Sequence, residues 1–154
     1  MKARRDVKVT HLREVRLFDG CTDEQLERIA RLADEVAVPA GYVLVYEGDW
    51  GHEVFVVAEG EAEVTAGGRM LALLDAGSVI GELAVLNPAP RTATVVAASP
   101  MRFFVFNDEA FQQLMNEVPV IARRTMTDVA ARFQGQSLEL ADLADREERA
   151  AEEA

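Results

Sequence analysis

Cysteine is all but missing from this sequence: Cys21 stands alone, which leaves no disulfide framework and no cysteine-based metal site. The two histidines, His11 and His52, show no ligand spacing and have no nucleophile near them. Neither a pair of histidines with an acid nor a nucleophile elbow occurs. Metal and hydrolase chemistry have no support, so the chain is expected to carry no catalytic residue, hold no metal and not be an enzyme. No apolar run reaches the roughly 18 residues of a membrane span. The opening Met-Lys-Ala-Arg-Arg-Asp is charged with no apolar stretch behind it, unlike a secretory signal. A cytoplasmic protein without membrane contact is expected. Positive charge is also scarce, with 16 Lys and Arg against 27 Asp and Glu and a net charge of −11. A nucleic-acid surface needs a basic face to displace counterions, so DNA binding by this chain is not expected.

What the sequence does have is apolar content: 49% of its 154 residues are hydrophobic, enough for one domain with a sizeable core plus appendages. Its charge is unevenly spread. Residues 1–18 carry six Lys/Arg against Asp6 and Glu14, and residues 137–154 carry seven acids against Arg146 and Arg149. Two solvated ends account for this, as does attraction between the ends or to a partner.

Taken in order, Val9, Leu12, Val15 and Leu17 follow a loosely helical spacing over 8–17. Thr22-Asp-Glu-Gln25 has the form of a capping box, and Leu26, Ile29, Ala30 and Ala33 place an amphipathic helix over 23–34. From Glu35 the period changes to that of strands. Val36 and Val38 are followed by a Pro39-Ala-Gly41 turn, and Tyr42, Leu44 and Tyr46 alternate with Val43 and Val45. Gly48-Asp-Trp-Gly51 breaks that run, and Val54-Phe-Val-Val57 is an entirely apolar strand ended by Gly60. Ala62 to Ala66 alternates, Gly67-Gly68 is a hairpin signal, and Met70 to Leu74 returns. Strands are also expected over Thr92 to Ala98 and Met101 to Phe106. Short strands at regular spacing with glycine-bearing turns predict an antiparallel barrel or sandwich. Asn107 or Asp108 then caps a helix carrying Phe111, Leu114 and Met115. Pro119 interrupts it, and a longer helix over 120–133 has Val120, Ile121, Met126, Val129, Ala130 and Phe133 as apolar points, with Gly135 a weak spot near its end. Those apolar points predict a homodimer through residues 118–140. The Ala/Glu-rich residues 135–154 form an acidic helical extension or a frayed tail.

The chain changes character between Gly77 and Val95. Gly81-Glu82-Leu83-Ala84 reads as a glycine-opened helical turn that offers free backbone N–H groups to an anion. Arg91, held after Pro88-Ala-Pro90, can bind the same anion with two parallel hydrogen bonds. Glu82 does not suit a phosphate and is assigned to another part of the ligand, such as a sugar hydroxyl. The competing reading is an Arg91–Glu82 ion pair, which would also serve as the resting state of an empty pocket.

Gly81-Glu82-Leu83-Ala84, six residues, then Arg91-Thr92-Ala93-Thr94 resembles the phosphate-binding cassette of cyclic-nucleotide-binding domains. Pro39-Ala-Gly41, Glu47-Gly48-Asp49, Gly60 and Asp75-Ala-Gly77 fit the flanking pattern, so the similarity runs over about residues 15–135. Ile80 stands where the family often has an aromatic residue. The resemblance implies an eight-stranded antiparallel β-roll, jelly-roll-like, with N-terminal helices and a C-terminal helical pair. The domain would occupy 1–134, with helices over 8–34, the roll over 35–106 and helices over 107–134. It also implies a cyclic nucleotide as ligand: Arg91 and Thr92 on the cyclic phosphate with the amides near Leu83 and Ala84, Glu82 on the ribose 2′-hydroxyl, Gly81 allowing close approach of backbone and sugar, and Ala93 as a further ligand-binding residue of the cassette. By position along the last helix, Gln136 and Ser137 resemble the family's base contacts.

Thr92 is compatible with both cyclic AMP and cyclic GMP. The Ala/Arg/Glu-rich composition fits a bacterial source and favours cAMP, with cGMP the alternative. Bacterial receptors of this type continue into a helix-turn-helix domain, whereas this chain ends a few turns after the roll. The expected function is thus a non-catalytic regulatory module that binds a cyclic nucleotide and signals through its C-terminal helices. The alternatives are a nucleotide-independent protein-interaction module of the same fold, or the regulatory part of a larger enzyme or transcription factor.

Overall fold

The computed structural model describes residues 2–82, 85, 88–131 and 149. Helix α1 (Lys2–Arg13) leads through a 3-10 turn (Arg16–Phe18) into helix α2 (Asp23–Leu32). Eight strands follow: β1 (Asp34–Val38), β2 (Val43–Val45), β3 (Glu53–Glu59), β4 (Ala62–Ala66), β5 (Arg69–Leu74), β6 (Val79–Ile80), β7 (Thr94–Ala97) and β8 (Met101–Asn107). Helix α3 (Asp108–Glu117) and a helix over 119–131, here α4, complete the described chain. The strands form two antiparallel four-stranded sheets, ordered β1-β8-β3-β6 and β2-β7-β4-β5. This is the eight-stranded roll with helices at both ends that the sequence led us to expect.

Strand β3 shows how the sequence builds the layers. Alternate residues of a strand face opposite sides of the sheet. Val54 and Val56 join the apolar cluster that includes Leu12, Phe18, Ile29, Phe111 and Ile121 from the helices. Phe55 and Val57 join a second cluster inside the roll with Val45, Val95, Ala97 and Phe103. Both faces of β3 are dry, so its residues have no reason to alternate with polar ones. Strand β8 divides in the same way, with Phe104 and Phe106 towards the helices and Met101 and Phe103 towards the roll interior. Edge-to-face pairs stitch the layers: Phe55 with Phe103 inside the roll, and Phe106 with Phe111 between β8 and α3, both with ring centroids 5.6 Å apart. Each such pair adds about 0.5–1.5 kcal/mol to the burial of its rings.

The local signals act as the sequence suggests. The Thr22 hydroxyl accepts from the Gln25 N–H at 3.1 Å while the Gln25 side chain accepts from the Thr22 N–H at 2.9 Å. Asn107 caps α3 by accepting from the Ala110 N–H at 2.7 Å. Gly67 and Gly68 take φ of 58° and 78° between β4 and β5, the left-handed geometry that a tight hairpin needs.

Several boundaries differ. Helix α1 begins at Lys2 and ends at Arg13, earlier than the helix expected over 8–17. Its first turns carry good helix formers but little apolar periodicity to announce them. After Arg13 the bonds tighten to three residues, with Glu14 N–H on His11 and Val15 N–H on Leu12. The Lys8 ammonium reaches across to the Ala30 and Ala33 carbonyls at the end of α2, both at 2.9 Å. His11 lies against the Glu35 carboxylate, which also receives Arg102 at 3.4 Å; together they tie α1 to β1 and β8. Helix α2 stops at Leu32, and β1 already starts at Asp34.

Pro119 does not simply interrupt a helix. It is the first residue of α4, where its missing N–H costs nothing and its fixed φ fits. The apolar points that predicted a dimer interface are divided: Ile121 is fully buried and Val129 is buried, Val120 is half-buried, and Met126 and Ala130 are exposed. One face of the described part of that helix is covered by its own chain, and the other is exposed. Phe133, Gly135 and the acidic extension fall outside the described residues, apart from Arg149. Among the described residues no helix is long and apolar enough to cross a membrane, and no group of three or more His, Cys, Asp or Glu is placed to hold a metal ion.

Candidate ligand-binding site

The site begins where β6 leaves its sheet. Val79 and Ile80 pair with Val56 and Phe55 of β3, and Ile80 packs inside the roll. Gly81 then reverses the chain with φ of +88°, a conformation that L side chains rarely adopt. Glu82 follows with 4% of its surface exposed, and its carbonyl accepts from the Val85 N–H at 3.1 Å. A carboxylate this buried is tolerated only with polar or charged company. Leu83 and Ala84 lie outside the described residues.

Arg91 does not lead directly into the strand expected from Thr92. Its backbone is taken by the β2–β3 loop instead. The Arg91 N–H donates to the Asp49 carbonyl and the Gly48 N–H donates to the Arg91 carbonyl, each at 2.8 Å. Thr92 and Ala93 form a bend, and β7 starts only at Thr94. The Thr94 hydroxyl accepts from the Glu47 N–H at 2.9 Å, and the Glu47 carboxylate accepts from the Gly67 N–H at 3.2 Å. The loop is thereby fastened to β7 and to the β4–β5 hairpin.

The guanidinium of Arg91 lies between two glycines. A Cβ placed on Gly51 would stand 2.6 Å from Nη2, and one placed on Gly81 would stand 2.4 Å from Nη1. In this seat Nη2 donates to the Glu53 carbonyl at 2.7 Å and Nη1 to the Gly81 carbonyl at 3.5 Å. The bonds expected to run to the Glu82 carboxylate thus run to main-chain oxygens, and Glu82 acts on Arg91 as a nearby charge. Partial burial pushes the Arg91 guanidinium below its ordinary pKa, while the carboxylates of Glu53 and Glu82 oppose the shift. A guanidinium in ordinary protein surroundings stays charged. The result is a rigidly held, half-desolvated cation beside a buried carboxylate, a pairing suited to an anion that also carries a hydroxyl.

Of the residues the sequence singled out, the structure brings together Gly81, Glu82 and Arg91, with Thr92 and Ala93 following directly. Gln136 and Ser137 lie outside the described residues. Sequence reading missed Gly51 and Glu53. Gly51 stood out only as punctuation in Gly48-Asp-Trp-Gly51, and Glu53 contributes through its carbonyl, which carries no side-chain signature.

Residues 35–118 match the family model described as the cyclic nucleotide-binding domain. The chain belongs to this family. As a cyclic nucleotide-binding domain it has its matched region running from β1 through both sheets and the cassette to the residue before α4. It is 33% identical over 123 residues to a cAMP-dependent protein kinase regulatory subunit of Hypocrea atroviridis, covering 80% of this chain and 27% of that protein. It is 37% identical over 91 residues to the cGMP-dependent protein kinase egl-4 of Caenorhabditis elegans, covering 59% of this chain and 12% of that protein. Among solved structures, the Thermus thermophilus catabolite activator protein superposes with a TM-score of 0.70 at 28% identity, covering 83% of this chain and 62% of the other. The chain thus spans only about a quarter of the fungal protein and less of the nematode one.

Proposed function

We propose that this domain is a non-catalytic regulatory module that binds a cyclic nucleoside monophosphate, cAMP in preference to cGMP, inside the roll. The observation that carries the reading is the seat of Arg91, which holds a half-buried guanidinium between Gly51 and Gly81 beside buried Glu82. In this reading the cyclic phosphate takes the remaining guanidinium N–H donors, the Thr92 hydroxyl and the backbone amides near Leu83 and Ala84, while Gly81 lets the backbone approach the sugar and Ala93 belongs to the same ligand-binding stretch. Glu82 accepts the ribose 2′-hydroxyl. Gln136 and Ser137 are the candidates for contacts to the base. The names of the fungal and nematode relatives support both nucleotides as ligands of the family, and the bacterial character of the composition favours cAMP. Binding signals through α3 and α4, provided that their positions differ in ligand affinity.

Calorimetric titration with cAMP and with cGMP tests this. Wild-type protein is expected to bind with a Kd in the micromolar range or below, about −8 kcal/mol or better, with cAMP the tighter. Arg91→Ala, which removes a charge-assisted bidentate partner, should weaken binding by about 100-fold or more. No heat with either nucleotide at millimolar concentration, from protein with an intact melting transition, would sink the proposal and favour a nucleotide-independent interaction module.

A further inference from the structure

Gly51 has no backbone reason to be glycine. Eight of the nine described glycines have φ in the left-handed region, and Gly51 is the exception. What distinguishes position 51 is the space above its Cα. The three atoms nearest to an added Cβ all belong to the Arg91 guanidinium: Nη2 at 2.6 Å, Nε at 2.7 Å and Cζ at 3.0 Å. Real Cβ atoms essentially never approach this closely, so a side chain at 51 and the present guanidinium position exclude each other.

The two walls of the seat differ in what they protect. At Gly81 an added Cβ meets the Glu53 main-chain oxygen at 2.7 Å as well as the guanidinium, and φ is +88°. Substitution there strains the backbone together with the site. At Gly51 the nearest atoms are the far end of a long, flexible side chain, which can swing away while the backbone stays. The main chain of Arg91 remains pinned by Gly48 and Asp49 in either case.

We propose that Gly51 is a positioning residue for the anion: it holds no ligand itself but fixes the Arg91 guanidinium against the Glu53 and Gly81 carbonyls before ligand arrives. The β2–β3 loop thereby becomes part of the binding machinery, and any side chain at 51 lowers anion affinity by displacing Arg91. The consequence for affinity rests on the cyclic-nucleotide reading above; the seat itself does not.

The test joins a ligand-free measurement to a titration. In nitrogen-15 spectra without ligand, the Arg91 Nε–H signal, assigned by its loss in Arg91→Lys, should be resolved in wild type. In Gly51→Ala it should move to the position of solvent-exposed arginines. The melting temperature of Gly51→Ala should stay near that of wild type, and that of Gly81→Ala should fall. With cAMP as the probe, Gly51→Ala should bind about 10- to 100-fold more weakly, the range set by losing a charged hydrogen bond. In the Arg91→Lys background the same substitution should change affinity little, because no guanidinium remains to be displaced. An unmoved Arg91 signal in Gly51→Ala overturns the proposal, as does an affinity loss that persists undiminished in the Arg91→Lys background. If wild type binds neither cAMP nor cGMP, the ligand reading fails and the ligand-free spectra still decide the role of Gly51.

Discussion

The Asp128 carboxylate, on α4, accepts the backbone N–H of Val79 at 3.4 Å. Strand β6 is the edge of its sheet, and an edge strand presents N–H groups that no neighbouring strand satisfies. Val79 is fully buried, so its N–H needs a partner from within the protein. Asp128 supplies it, two residues before Gly81. The last described helix is therefore bonded directly to the strand that carries the cassette.

Asp128→Ala should leave that buried N–H without this acceptor. The bond is long, so a loss of about 1 kcal/mol is expected, or a fall of roughly 2–4 °C in melting temperature for a chain of this size. Hydrogen exchange should speed up at Val79 more than at Val56 on the central strand β3. Equal changes at the two amides would mean that Asp128 supports the fold generally and not β6 in particular.

How much of this could be read in the sequence depends on whether a feature is periodic or positional. The apolar run of β3 foretold a strand buried on both faces, and Thr22-Asp-Glu-Gln25 foretold its helix start, because each is a local pattern with one favoured geometry. That Gly81, Glu82 and Arg91 come together was legible because a motif fixes their spacing; their part in binding is a proposal. Gly51 was not, since a glycine needed for space reads the same as a glycine needed for a turn. Nor was the binding of Arg91 to the Gly48-Asp49 backbone, because the partners lie over 40 residues apart and main-chain groups carry no sequence signature. The first turns of α1 escaped for the opposite reason: they are helical by propensity, with little apolar stripe to mark them. The burial of Ile121 and Val129 within the chain was not legible either, because an amphipathic stripe does not say which surface covers it.

Cys21 offers a pH dependence with a definite sign. Burial pushes its thiol above the ordinary value, the Arg124 guanidinium opposes this, and Asp19 adds to it. Arg124 is held in place by donating to the Leu17 and Asp19 carbonyls at 2.9 and 2.7 Å. A raised pKa means that the folded state keeps its proton to higher pH than the unfolded state. The associated stability is present below the unfolded thiol's pKa and is lost as pH rises through the folded value. Denaturant unfolding at neutral pH and at a pH above the thiol range, on wild type and Cys21→Ala, checks this. Wild type should lose more stability over that interval than the variant. An equal or smaller loss in wild type would show that the folded thiol is not shifted upwards.

Glu82 makes the most selective prediction, because its proposed partner is a single hydroxyl of the ligand. A site built to hydrogen-bond a hydroxyl rejects the analogue that lacks it, since a buried polar group is then left without that partner. Glu82 is 4% exposed, so water cannot readily make up the loss. Wild type should bind 2′-deoxy-cAMP about 10- to 100-fold more weakly than cAMP, the range for a hydrogen bond to a charged group. Glu82→Gln keeps the size of the side chain and removes its charge, and should weaken cAMP binding by a comparable factor. The two losses should not add: in Glu82→Gln the preference for cAMP over the deoxy analogue should shrink well below that of wild type. A variant that discriminates between the two ligands as strongly as wild type would place the ribose hydroxyl elsewhere and leave Glu82 with no part in recognising it.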